Sequence, residues 1–329
     1  MIDPTFNKAY SLESLRQAQK TVYAFMQATP TYAWPQLSTR LGTSAFVKHE
    51  NHTPLGAFKV RGGATYFEHL LKREPKCPGV ISATRGNHGQ SVGLAAKRFS
   101  VPATIVVPIG NSAEKNAAMR SLGVELIEHG SDFQESREHA MKLATERNLH
   151  MVPSYHEDLV RGVASYWIEF FEAVPNLDRV YVPIGMGSGA CGAIVARDAL
   201  GREIEIIGVV SAHAQAYALS IAAKRVIEAP VSTVLADGMA CRSPDRQALN
   251  ILIRGLSEVV LVTDDEIANA MRIYFSDTHN VAEGAGAAAL AAALQDAAQR
   301  PNKTNGRNLG LTLCGGNVDS QMFAKVLAN

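Results

Sequence analysis

GVISATRGNHGQSVGLAAKRF, residues 79–99, runs from a short β-branched segment through a glycine-flanked turn into small apolar residues at helical spacing. That is one strand followed by one helix. The unit recurs: PATIVVP (102–108) precedes AEKNAAMRSLG, and VELIEHG (124–130) precedes FQESREHAMKLATERN. Strands that are apolar on both faces and separated by crossover helices require a parallel sheet covered on both sides. The rhythm returns in RVYVPIG (179–185), EIIGVVS (205–211) and NLGLTLCGG (308–316). The fold class is therefore α/β, and two such sheets fit the pattern better than one. No repeat or long Pro/Gly/Ser linker marks a boundary. Ahead of all this, SLESLRQAQ predicts a helix with Ser11 as N-cap and Ser14, not Glu, at the capping-box position.

Composition bounds the function. The 329 residues carry 32 basic and 31 acidic side chains, a formal charge of +1, with 47% hydrophobic and 19% charged residues. A chain of this length suits two domains, and its composition excludes a disordered polyelectrolyte or a membrane protein built of apolar twenty-residue spans. The Ala-rich run 285–294 is too short to cross a bilayer. Balanced charge also lacks the cationic footprint of a nucleic-acid binder. MIDPTFNKAY offers neither the basic nor the apolar region of a secretory signal, so the expected location is cytoplasmic. Cys77, Cys191, Cys241 and Cys314 lie far apart, which favours buried thiols over a disulfide framework or a zinc site.

Four turns carry the candidate chemistry. In LGAFKVRGG (55–63), Lys59 sits between Phe58 and Val60 at the start of a helix. A helix N-terminus and apolar neighbours both disfavour an ammonium, which would free the amine to attack an aldehyde, although most lysines so placed are surface charges. In SATRGNHGQS (82–91) a strand end turns through Gly86 and Gly89, exposing backbone amides, and Asn87 offers an amide to a ring hydroxyl; a simple structural turn is the rival reading. PIGMGSGACG (183–192) alternates Gly185, Gly187 and Gly189 after a strand, so successive amides point into one concavity suited to phosphate. It lacks the lysine of a P-loop and the GxGxxG spacing of dinucleotide sites. In LCGGNVDS (313–320), Cys314 ends a strand with a weakly polar, neutral group.

Together and in this order, these motifs resemble the pyridoxal-phosphate enzymes of the tryptophan-synthase-β type, and among them the serine/threonine dehydratase and serine racemase family. Ala57 to Gly62 matches that family's SFKxRG, Thr84 to Gln90 its SSGNHGQ, Gly185 to Gly189 its tetraglycine loop and Cys314 to Asn317 its SGGN, with ADG at 236–238 and EGAGA at 283–287. The resemblance implies parallel-rich sheets flanked by helices, a large domain of residues 1–70 and 151–329, and a small domain of residues 71–150. It implies pyridoxal 5'-phosphate as cofactor, with Lys59 as the catalytic, Schiff-base residue. Phe58, Asn87, Gly185, Met186, Gly187, Ser188, Gly189, Glu283 and Cys314 would surround the cofactor, and Thr84, Arg85, Gly86, His88, Gly238 and Arg242 the substrate. A homodimer is the implied assembly, and the length leaves no room for the regulatory domain of biosynthetic threonine dehydratases.

Departures from the family pattern sharpen the expectation. Serine racemase has Ser at the position of Arg85, where it acts as second acid–base group. A guanidinium stays protonated, so racemisation falls behind elimination. Where the family can carry a divalent cation on Glu and Asp, this chain has Ser211 and Tyr217, poor ligands for Mg²⁺ or Ca²⁺, so no metal is expected there. AGQGT becomes RGVAS, adding Arg161, and Arg242 follows the ADG loop. Such cations could read a second substrate carboxylate, or simply bond carbonyls and acids elsewhere. The expected activity is dehydration of a β-hydroxy-α-amino acid such as threonine, serine, 3-hydroxyaspartate or 3-phenylserine to a 2-oxo acid and ammonia. Alternatives are a racemase or β-replacement synthase of the same fold, and a non-catalytic binder of a phosphorylated ligand.

Overall fold

The computed structural model describes residues 8–328. The opening residues 1–7, part of the segment read above for a signal, lie outside it. Two sheets are present. Strands β3 (Val80–Ala83), β4 (Ala103–Val107), β5 (Glu125–Glu128) and β6 (His150–Met151) form a four-stranded sheet in the order β5-β4-β3-β6, parallel throughout. The six-stranded sheet combines β1 (Thr31–Ala33) and β2 (Ala45–His49) with β7 (Arg179–Pro183), β8 (Glu205–Ser211), β9 (Glu258–Val262) and β10 (Leu309–Leu313), in the order β1-β2-β10-β7-β8-β9. All its pairings are parallel except β1 with β2. The chain thus leaves the larger sheet after β2, builds the smaller one, and returns at β7.

Helices cover both faces of the large sheet. On one side Glu157–Ala173, Ser188–Ala199 and Arg246–Gly255 bury Trp167, Phe170, Ile194 and Leu252. On the other, Asp264–Thr278 and the Ala-rich Gly284–Gln299 bury Met271, Tyr274 and Leu290. Alanine lets Gly284–Gln299 lie close on β7 to β10. Ser11 caps the Leu12–Tyr23 helix by accepting from the Ser14 amide.

The Lys59–Arg73 helix joins the two sheets, and its position is enforced by a buried charge cluster. Arg61 is wholly buried; it donates to Glu50 at 2.7 and 2.9 Å, to Glu169 at 2.6 and 3.0 Å and to Ser165 Oγ at 2.9 Å. Lys48 closes the cluster on Glu169 at 2.6 Å and on the Thr29 carbonyl at 2.7 Å. Burial opposes the Arg61 charge, but Glu50 and Glu169 outweigh it and raise its pKa. The helix also meets Glu157–Ala173 backbone to backbone, since a Cβ at Gly162 would stand 2.1 Å from the Arg61 carbonyl oxygen. Replacing Arg61 by Met strands two buried carboxylates, so Arg61→Met is expected to cost about 3–5 kcal/mol. Urea unfolding checks this; a loss below about 1 kcal/mol, the scale of an exposed pair, would show the cluster is not integral.

Candidate active site

The four turns singled out in the sequence converge at the C-terminal ends of parallel strands. Phe58 N donates to the Cys314 carbonyl at 3.0 Å, Gly316 N to the Gly56 carbonyl at 2.9 Å, and Ala57 bridges Gly315. Glu283 N donates to the Gly315 carbonyl at 3.1 Å, and Gly286 approaches that carbonyl so closely that a Cβ there would stand 2.1 Å from it. Across the cleft, Asn87 Nδ2 donates to Glu283 Oε1 at 2.7 Å, and Asn317 Nδ2 donates to Asn87 Oδ1 at 2.8 Å. One Asn87 amide hydrogen is thereby committed, leaving the second available. The glycine loop joins the same ring through Gly185, where a Cβ would stand 2.1 Å from the Gly238 carbonyl, and Gly238 in turn faces Ala285.

Lys59 lies inside this ring. Its Nζ is 4.9 Å from the Phe58 ring centroid, and it makes no hydrogen bond or ion pair among the described residues. Burial lowers its pKa, only partly offset by Cys314 and Glu283, so the amine form is favoured. Cys314 is buried, its thiol pushed well up by burial, and its Sγ donates to the Ala285 carbonyl at 3.5 Å. It is a neutral group at the end of β10. Glu283 Oε2 and His88 Nε2 are buried without partners. Burial raises Glu283, against the pull of Lys115, and pushes His88 down to about 3.

The Gly185-Met186-Gly187-Ser188-Gly189 turn enters the Ser188–Ala199 helix, whose N-cap Gly187, at φ +100°, supplies no side-chain acceptor to the first-turn amides. Those amides face an anion unaided. Met186 is half-buried, its carbonyl accepting from Tyr217 Oη at 2.9 Å, while Ser188 is buried. A phosphate-bearing aldehyde fits these residues: an unpaired, half-buried amine, an uncapped helix start behind closely packed glycines, a spare Asn87 hydrogen, and buried acceptors without partners.

The outer residues separate into two groups. Thr84 Oγ1 accepts from Gly86 N at 3.1 Å and holds the turn. Arg85 is exposed beside it, with no side-chain partner among the described residues. Arg242 is exposed too, its carbonyl accepting from Ala229 N. Arg161 is turned elsewhere: it donates to Asp158 at 2.8 Å, Glu157 at 3.2 Å and the Ala9 carbonyl at 3.0 Å, so it reads no substrate. Ser211 Oγ accepts from His213 N, and Tyr217 Oη from Asp245 N. Sequence reasoning missed Lys115 and Asp237. Asp237 stood inside the quoted ADG, but a lone lysine in AEKNAAMRS carried no signal.

An unpaired lysine and an uncapped, glycine-lined helix start at the mouth of parallel strands suit an enzyme that uses a phosphate-bearing aldehyde cofactor. Residues 23–315 match the family model for pyridoxal-phosphate dependent enzymes, and the chain belongs to that family. It is 31% identical over 320 residues to the L-threonine ammonia-lyase of Thermotoga maritima, covering 96% of this chain and 78% of that one. It is 34% identical over 271 residues to the biosynthetic L-threonine dehydratase of Pasteurella multocida, covering 82% of this chain and 53% of that one, so it spans about half of that longer relative. Maize serine racemase superposes with a TM-score of 0.89 at 26% identity, over 97% of both chains.

Gly185→Ala is expected to push the Gly238 carbonyl out of place, because backbone offers no easy retreat from a 2.1 Å contact. Dialysis followed by absorbance of bound pyridoxal phosphate should show weakened retention with an intact circular-dichroism spectrum. Wild-type retention would remove Gly185 from the cradle.

Proposed function

We propose that the protein is a pyridoxal-phosphate-dependent ammonia-lyase that dehydrates a β-hydroxy-α-amino acid to a 2-oxo acid and ammonia. The observation that carries this reading is the unpaired, half-buried Lys59 amine, close to Phe58, Cys314 and Glu283 and beside a glycine-lined helix start. The relatives named threonine ammonia-lyase and threonine dehydratase support it.

The residues divide the work. Lys59 would hold the cofactor through Nζ, Gly185 to Gly189 its phosphate, Asn87 its ring hydroxyl, and Cys314 would face its ring nitrogen. Bound there, the cofactor supplies an electron sink for negative charge at the substrate Cα. Once the substrate amine has taken its place, the freed Lys59 amine is the base for the Cα proton, and the lowering of its pKa by burial favours that role. A neutral Cys314 thiol gives the ring nitrogen no carboxylate, which favours prompt loss of the β-substituent. The Thr84 to His88 turn would take the α-carboxylate, and the free Arg85 guanidinium is suited to a second acidic group.

Release of 2-oxo acid and ammonia, assayed over threonine, serine, 3-hydroxyaspartate and 3-phenylserine in both β-configurations, tests the reading. At least one should yield both products, Lys59→Ala should abolish release, and a preference for 3-hydroxyaspartate would mark Arg85. Release by Lys59→Ala at the wild-type rate would end the hypothesis. The kinship with serine racemase makes racemisation the second reading; appearance of the opposite enantiomer without oxo acid would favour it. Activity is also expected to survive EDTA dialysis, because Ser211 and Tyr217 stand where carboxylate ligands would be needed. A loss restored by Mg²⁺ would overturn that expectation.

Three further elements belong to this reading: the domain division at residues 70 and 150, a homodimer, and a cytoplasmic location. Light scattering of the holoenzyme at twice the 35.3 kDa chain mass would support the dimer.

A further inference from the structure

Lys115 has no part in the chemistry above, yet it lies in the wall of the same cleft. It sits on the Ala113–Ser121 helix beside the four-stranded sheet, and its Nζ donates to Asp237 Oδ2, on the large-sheet side, at 2.5 Å. Asp237 directly precedes Gly238, whose carbonyl touches Gly185. The Lys115 stem covers the Asn87 turn, since a Cβ at Gly86 would stand 2.8 Å from Lys115 Cδ. The ammonium therefore lies between the turn that starts at Thr84 and the loop that packs on Gly185. Only 11% of its side chain is exposed. Glu283, buried in the ring around Lys59, feels both lysines.

The two lysines occupy opposite electrostatic situations. Lys59 has no partner, and burial lowers its pKa. For Lys115 burial also opposes the charge, but Asp237, Glu283 and, more weakly, Asp319 outweigh it and raise the pKa. The surroundings favour the amine form of the first and the ammonium form of the second. Groups whose surroundings push their pKa values apart mark a division into base and acid. Dehydration needs both, because hydroxide is a poor leaving group until it is protonated.

We propose that Lys115, gripped by Asp237, is the general acid that protonates the departing β-hydroxyl; the inference rests on the ammonia-lyase reading above. The Cα–H electron pair forms the new Cα=Cβ bond as the Cβ–O bond breaks. Lys59 Nζ takes the Cα proton, Lys115 Nζ gives one to the leaving oxygen, and water departs. Lys115 then regains a proton from solvent, for which the half-exposed Asp237 is the way in. Asp237 is a positioning residue.

The test compares two leaving groups. Holoenzymes of the wild type, Lys115→Met and Lys115→Arg are assayed with the best β-hydroxy substrate and with β-chloroalanine, whose chloride leaves without a proton. Both variants should lower the ratio of hydroxy to chloro turnover about 100-fold or more, because Arg restores the charge but donates no proton. The cofactor absorbance band of each variant reports that the site is loaded. An unchanged ratio, whether both activities fall or neither does, overturns the proposal. If the Lys115 variants fail to load, Asp237→Asn decides. Losing the carboxylate lowers the Lys115 pKa, so the alkaline limb of kcat should move to lower pH, and an unmoved limb overturns the proposal. A wild type that eliminates neither substrate sinks the ammonia-lyase reading itself, and the inference with it.

Discussion

The Arg61 cluster is the constraint on which the site depends. Arg61 lies two residues after Lys59, and its guanidinium is fixed to Glu50 at the end of β2 and to Glu169 on the Glu157–Ala173 helix. A guanidinium so clamped can neither slide nor rotate, and the first turn of the Lys59 helix is held with it. Buried ion clusters add little net stability over an apolar replacement, because desolvation consumes the Coulomb gain. What this one supplies is position. On the opposite side, the Phe58 amide is tied to the Cys314 carbonyl, so the lysine is located from two directions by contacts that do not involve its own amine.

That arrangement leaves the amine free of partners, which is a cost the rest of the protein absorbs. Lys48 shows the alternative fate of a buried lysine: burial lowers its pKa too, but Glu169 and the Thr29 carbonyl take two of its three hydrogens. The two residues differ in partners, and Lys48 is the more deeply buried. A structural lysine is recognised by its satisfied hydrogens and a reactive one by their lack.

Much of this was legible in the sequence, and what was not has physical causes. The strands read from the sequence all exist; most are buried on both faces and need no alternation to reveal them, while β5, at the sheet edge, is half-exposed. Strand β2 escaped because AFVKH ends in Lys48 and His49, polar residues whose burial makes sense only once Glu169 and the Trp34 indole stand opposite. Strand β6 is two residues long, and β9 is half-exposed at the sheet edge. At the site, the glycines and Lys59 were visible because backbone turns have sequence signatures. Lys115 was not, because its meaning lies in Asp237, 122 residues away along the chain. Arg161 misled differently: Asp158 and Glu157, one helical turn before it, were in plain view, and only the Ala9 carbonyl, 152 residues away, was hidden.

The glycines themselves carry a further consequence. Gly185 on Gly238, Gly286 on Gly315 and Gly162 on Arg61 are contacts in which a methyl group would collide with backbone. Each joins segments remote in sequence, so the turns reach their mutual distances only in the folded chain. A cofactor held, as proposed, by residues from Phe58 to Cys314 at the end of β10 would therefore bind the folded chain and not its unfolded forms. Binding of that kind stabilises the native state by mass action, about 2.7 kcal/mol when free ligand stands at a hundred times its Kd. The close backbone packing and the cofactor would then reinforce each other: the glycines bring the turns together, and a group held by several of them at once would keep them from parting.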